Sequence, residues 1–250
     1  QSPYYKYYAA DMAAPAPEAM ERLVHNTLTP ETALKITDMN DLFLPGYLPG
    51  EAGYCRMEDG TLTVANLLPM PGITPEMFDW WFAWHGLVPM RYKMWDPEDH
   101  YYCLTRNPEQ ARDNSLSLRQ RYYNTTHDAE ERMGPGPAMK VVIQFRDPVD
   151  IGFDPQKVAD FDGTIVCAGG EQTPVVMCHF LRPVEGGCEL RTHFWMGWCI
   201  RDGHPQRLPV NPMADMPLEA LKGQLHHNIV EFSNLAAILP KVYAEFKDQP

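Results

Sequence analysis

Between Leu218 and Leu239 an apolar residue returns every three or four positions, with Leu221, Leu225, Ile229, Phe232 and Ala236 between those two. That spacing marks a helix with one long apolar face, and such a face must be buried against something. Ahead of it the chain offers strands. Val141, Ile143 and Phe145 alternate with Val142, Gln144 and Arg146, a short run covers 164–168, and 175–182 with 189–200 form a hairpin about Glu185-Gly186-Gly187. A meander of antiparallel strands closed by one long C-terminal helix points to an α+β helix-grip architecture. In it a curved sheet wraps the helix around a cavity. Pro240 is expected to kink or interrupt the helix.

Upstream, Thr74-Pro75-Glu76 has the order of an N-cap, a proline at the first helical position and an acid in the first turn. The helix it opens runs through Met77-Phe78-Asp79-Trp80-Trp81-Phe82-Ala83-Trp84 and stops at Gly86. Aromatic almost all round, it should be largely buried. A strand at 61–68 and a Pro71-Gly72 turn precede it. The first fifty residues, rich in Pro, Ala and Tyr, read as an irregular arm with a short helix at 17–26, of the kind that wraps a neighbouring surface or another subunit. The organisation expected is an arm over 1–50 and a single helix-grip domain over 51–250.

With 250 residues, 44% of them hydrophobic and 22% charged, the chain can bury a sizeable core and is not disordered. A net charge of -12, with 21 basic residues in no run, argues against a nucleic-acid partner. No apolar stretch reaches membrane-spanning length and no signal peptide is visible, so the expectation is no membrane association and, by default, the cytoplasm; a leader removed ahead of Gln1 is compatible with this. The six cysteines form no CxxC pair, which argues against a zinc ribbon and for free buried thiols in a reducing compartment.

Chemistry enters with His227-Asn228-Ile229-Val230-Glu231. A histidine and a glutamate at i and i+4 share one helix face, a workable nitrogen–oxygen pair of metal ligands. The HxxxE pattern recurs by chance on solvated helices, but the neighbours Leu225, Ile229, Val230 and Phe232 do not suit a wet face. His226 projects about 100° away and cannot serve the same site equally. His100 closes a polar, turn-rich segment and reads either as a surface-loop histidine or as a ligand. The stretch Thr126-His127-Asp128-Ala129-Glu130-Glu131-Arg132-Met133-Gly134 has the charge density of a solvated segment. In an extended chain one of Glu130 and Glu131, not both, could still turn inward.

The blocks Met70-Pro71-Gly72-Ile73-Thr74-Pro75-Glu76-Met77-Phe78-Asp79-Trp80-Trp81-Phe82-Ala83-Trp84-His85-Gly86, Arg91-Tyr92-Lys93-Met94-Trp95 and Asp99-His100, with 227–240, resemble the diacetylphloroglucinol hydrolase and phloretin hydrolase family. The Trp-Trp block with its following Arg-Tyr-Lys is the specific part. The resemblance implies a helix-grip (Bet v 1-like) fold, a homodimer, and a zinc ion held by two histidines and two glutamates. Here these match His227 and Glu231 on the helix, His100 after the Arg-Tyr-Lys block, and Glu131 ahead of Arg132-Met133-Gly134, with Glu130 as the adjacent alternative. His85 is a rival ligand, but its place beside the Trp-rich helix implies packing or support of the ligands instead. Tyr92 matches a tyrosine that hydrogen-bonds a phenolic hydroxyl, and His179 is the candidate for a second such contact. Phe194 stands where a tyrosine is expected and Cys103 where the family can have an asparagine. His193 is a candidate to replace one lost contact; the other reading of His179 and His193 is a pair of core histidines.

The implied function is hydrolysis of the C–C bond between an acyl group and a polyhydroxylated phenol ring, releasing a carboxylic acid and the phenol. Zinc would hold and polarise substrate or water, while Tyr92 and His179 bind the phenolic oxygens and help move protons. The 6 Trp, 12 Tyr and 14 Met suit a small aromatic substrate, although most of them are core. Two readings compete: the same zinc fold performing an aldol, Michael or cyclisation step in polyketide metabolism, and a metal-free protein that carries an aromatic ligand.

Overall fold

In the computed structural model, which describes residues 2–249, eight antiparallel strands form one curved sheet around the last helix. The strands are β1 (Gly53–Arg56), β2 (Leu62–Pro71), β3 (His100–Thr105), β4 (Thr126–Glu131), β5 (Met139–Arg146), β6 (Thr164–Ala168), β7 (Val175–Val184) and β8 (Gly187–Met196). Their order across the sheet is β1-β2-β8-β7-β6-β5-β4-β3, and a separate ribbon pairs β9 (Trp198–Arg201) with β10 (His204–Arg207). The helices are α1 (Tyr5–Tyr8), α2 (Pro17–Val24), α3 (Pro75–Trp84), α4 (Pro89–Lys93), α5 (Pro108–Arg112), α6 (Leu118–Tyr122), α7 (Pro155–Asp160) and the long α8 (Leu218–Phe246). Helices α2, α3, α4, α5 and α7 open on proline, whose missing N–H removes no intrahelical bond in the first turn. Thr74 caps α3 by accepting the Met77 N–H at 3.2 Å.

Alternation along the strands divides the sheet between two cores. On the concave side Val64, Leu68, Val166, Leu181 and Leu190 share a cluster with Leu221, Leu225, Ile229, Phe232 and Leu235 of α8, and α3 adds Phe78, Trp81 and Trp84. On the convex side Ile165, Cys167, Val176, Cys178, Phe180 and Trp195 are covered by Ile36, Met39, Leu42, Ile151 and Phe153. With both faces covered, β6 is buried at every position. This is the α+β helix grip expected from the pattern, and all six cysteines are free and buried within it. Among the described residues no helix is long and apolar enough to cross a membrane.

The arm expected over the first fifty residues lies against its own domain. Tyr4 is buried against Trp84 and Phe246, and the 3-10 helix Ile36–Phe43 lays Ile36, Met39 and Leu42 on the convex face. Residues 1 and 250, which end the two expected segments, lie outside the described residues. Strands β1, β3 and β4 lie where no strand was expected. The charged stretch at 126–131 is not solvated: His127, Ala129 and Glu131 turn inward while Asp128 faces out to pair with Arg106. Pro240 does not interrupt α8, because the buried Leu239 and Val242 hold the helix against the sheet across the one lost N–H bond.

Thr74→Ala removes the cap of α3 and should lower stability by about 1 kcal/mol. A shifted urea midpoint at unchanged slope is the expected reading; no shift would mean the cap contributes nothing.

Candidate active site

Four side chains from three elements converge between the sheet and α8. His227 and Glu231 stand one turn apart on the buried face of α8, while His226 faces solvent. Across from them, the pairing of β3 with β4 sets His100 directly opposite Glu131. His100 Nε2 lies 3.5 Å from Glu231 Oε2 and 3.8 Å from Glu131 Oε2. His227 Nε2 lies 4.0 Å from each carboxylate. Ligand atoms set tetrahedrally at about 2.1 Å around one ion stand roughly 3.4 Å apart. These four contacts, at 3.5–4.0 Å, lie close to that spacing. Glu130, the adjacent alternative, is only partly buried and points to the other face of β4.

Second groups stand behind these four side chains. His100 Nδ1 hydrogen-bonds the Tyr92 carbonyl at 3.2 Å, so its proton sits there and Nε2 is left buried with no hydrogen-bond partner. His227 Nδ1 faces Asp96 Oδ2 and Asp99 Oδ2, both at 3.7 Å, which is ion-pair reach and long for a hydrogen bond. Asn66 donates to Asn228 at 2.9 Å, and Asn228 donates to Glu231 Oε1 at 3.2 Å. The Tyr92 hydroxyl donates to Glu131, and its ring lies flat on His100 at 3.8 Å between centroids.

The electrostatics favour a cation. Burial opposes a proton on His227, but Glu231, Asp99, Glu131 and Asp96 outweigh it and lift its pKa to about 9. Burial raises the Glu231 carboxyl, only partly offset by His227 and His100. Burial, with Glu131, Cys103 and Glu231 nearby, drives the Tyr92 phenol well up, so it stays a neutral donor.

The cage opens into a cavity of about 470 Å³, reached by Tyr92, Glu131, His179, His227 and Glu231 and walled by Phe82, Ile143, Phe145, Met177, Phe194 and Met196. His179 enters from β7, with Nδ1 2.8 Å from the Thr192 hydroxyl, and burial pulls its pKa down to about 3. It is a neutral imidazole with Nε2 left for the cavity. His193 is a correction. In the β7–β8 register His179 pairs with Thr192 and His193 with Cys178, so the two histidines face opposite sides. His193 stacks on Trp195 of the convex core, away from the cavity. His85, expected only to pack or support, also lines the cavity, and its Nδ1 is 2.9 Å from the Trp81 carbonyl. Asp96, Asp99 and Asn228 were not singled out from the sequence. The Asp-Pro-Glu-Asp turn was the available signal, since Asp96 Oδ1 accepts the Glu98 and Asp99 N–H groups and so fixes the turn beside His227.

With this geometry in view, comparison with known proteins is informative. The family model described as the DAPG hydrolase PhiG domain matches residues 34–244. Phloretin hydrolase of Eubacterium ramulus is 36% identical over 250 residues, 98% of this chain and 90% of that protein. A 2,4-diacetylphloroglucinol hydrolase of a Pseudomonas species is 31% identical over 98% of this chain and 88% of its own length. That of Pseudomonas protegens is 30% identical over 98% of this chain and 84% of its own. Among solved structures, Ara h 8.0201 aligns with a TM-score of 0.40 at 9% identity, over 72% of this chain and 99% of that one. The protein defined by this sheet, helix and cage is a hydrolase. The chain belongs to the DAPG hydrolase family.

In metal-free protein His227 should titrate near pH 9. A pKa raised above the unfolded value of about 6.5 gives stability that is complete below that pH and lost as pH rises to 9. Glu231→Gln removes the largest attraction. NMR of the ring in chelator-treated protein should show the midpoint fall, and an unmoved midpoint would contradict the assignment.

Proposed function

We propose that the protein hydrolyses the carbon–carbon bond between an acyl group and a polyhydroxylated phenol ring, as in acylphloroglucinols or phloretin. A zinc ion is held by His100, Glu131, His227 and Glu231. The observation that carries this reading is the convergence of those four buried atoms at the polar end of an apolar cavity. Two imidazoles and two carboxylates are a donor set suited to zinc, which would displace the proton that the surrounding carboxylates otherwise keep on His227.

The reaction adds water across the bond: the acyl carbon gains the oxygen and leaves as a carboxylic acid, and the ring carbon gains a proton. A hydroxyl ortho or para to the acyl group lets the ring take a keto form, in which that carbon can be protonated before the bond breaks. Tyr92, a neutral phenol, would turn its one O–H from Glu131 to a ring oxygen when substrate binds and steady that form. His179 lines the cavity with Nδ1 anchored by Thr192, so as a neutral imidazole it can hydrogen-bond a ring oxygen through Nε2. The aromatic and Met walls offer apolar faces on which the ring can lie flat. When bound, zinc supplies a Lewis acid that polarises oxygen and eases water deprotonation. The exposed Tyr101, Tyr102 and Leu104 along the edge strand β3 support a homodimer.

Elemental analysis beside activity assays on phloretin and 2,4-diacetylphloroglucinol tests the reading. Purified protein should carry zinc and release the phenol, while His227→Ala and Glu231→Ala lose both. Tyr92→Phe and His179→Ala should keep zinc but lower kcat by about 10²-fold or more. Hydrolysis by fully metal-free protein would sink the zinc assignment, and zinc-loaded protein inert on both compounds would sink the substrate class.

A further inference from the structure

A second cluster of ligand-type side chains lies beyond the cage. His85, Cys103 and His127 are buried, and one ligand atom of each lies within 4.8 Å of the others. Cys103 Sγ is 3.7 Å from His127 Nδ1, and the rings of His85 and His127 are 5.3 Å apart. His85 commits Nδ1 to the Trp81 carbonyl, which leaves Nε2 as its lone-pair nitrogen. Burial pulls His85 down to about 4 and holds His127 well below its usual value. Both imidazoles are therefore neutral at pH 7, as ligation requires.

Two backbone features keep this space for these side chains. A β-carbon at Gly86 would come within 2.3 Å of His127 Cε1, so the ring occupies room that any other residue at 86 would fill. The bulge in β3 between His100 and Tyr102 lets residues three apart, His100 and Cys103, face the same side. The cage and the cluster therefore share one strand, and His85 opens the cluster to the cavity.

We propose that His85, Cys103 and His127 form a second metal centre, separate from the four-ligand cage, that takes a borderline or soft cation such as Zn²⁺ or Co²⁺ through one thiolate and two imidazoles. The cage has only nitrogen and oxygen donors, whereas this site carries sulfur and so favours softer ions. Binding breaks the Cys103 S–H bond, forms a sulfur–metal bond and releases the proton to solvent, with no change of oxidation state. Without a cation, burial and then the charges of Glu131 and Asp128 keep the thiol protonated.

Chelator-treated full-length protein titrated with Co²⁺ and followed by absorption tests this. The cage contains no sulfur, so a thiolate-to-cobalt charge-transfer band can come only from a cysteine site. Wild type should bind two equivalents and show the band. His227→Ala should bind one equivalent and keep it, and Cys103→Ala and Cys103→Ser should bind one and lose it. Gly86→Ala, which changes no ligand, should weaken the sulfur-linked equivalent by about tenfold or more. A wild-type spectrum without the band overturns the proposal, and so does a band that survives both Cys103 substitutions. The wild-type spectrum is decisive even if a substituted protein does not fold.

Discussion

Two carboxylates and two imidazoles, stripped of water inside an aromatic core, set the terms for the elements around them. Each ion costs several kcal/mol to desolvate, and two carboxylates a few ångströms apart repel. The chain meets this with donors and geometry: Tyr92 on Glu131, Asn228 on Glu231, and two imidazoles between them. A divalent cation offsets the two carboxylate charges. The ligands come from β3, β4 and α8, so closing the sheet onto the helix and assembling the cage are one event. A cation bound there would also contribute folding free energy.

The aromatic layer makes that closure accurate. Trp95 donates its indole N–H to the Glu231 carbonyl at 2.9 Å, and Asn234 of α8 donates to the Trp95 carbonyl at 2.8 Å. The segment carrying Tyr92 and His100 is thereby tied to the helix carrying His227 and Glu231. Arg91, next to Tyr92, lies 3.9 Å over the Trp84 ring and donates to the Tyr4 hydroxyl. Through that contact the N-terminal segment braces the site, which is why Tyr4 belongs to the core.

How much of this the sequence disclosed depends on which periodicity governs each residue. His227 and Glu231 were legible because i and i+4 on an apolar helix share a face whatever the helix packs against. The choice between Glu130 and Glu131 reduced to parity, and the resemblance favoured Glu131, the residue found buried. His179 and His193 were different. Their faces are set by cross-strand register, which a single strand's pattern does not contain. In β8 both faces are buried, so polar–apolar alternation gave no signal that His193 looks away from the cavity. The charges of β4 hid it for the opposite reason: they are real, but Asp128 and Glu130 lie on one face only.

The bulge in β3 shows where local reading must fail. In a regular strand His100 and Cys103 would point to opposite sides, and a chain that buried one would expose the other. One irregular step between His100 and Tyr102 resets the parity, turning Tyr101 and Tyr102 outward and bringing both ligand-type residues inward. The backbone N–H of His100 bonds the Asp96 carbonyl at 2.9 Å, so the strand begins directly out of the Asp96 turn. That turn also sets Asp96 and Asp99 beside His227. A single short segment thus supplies a ligand, the carboxylates facing another ligand, and the step that lines up a third inward-facing donor. No periodicity in the sequence marks that step, because it is a departure from periodicity.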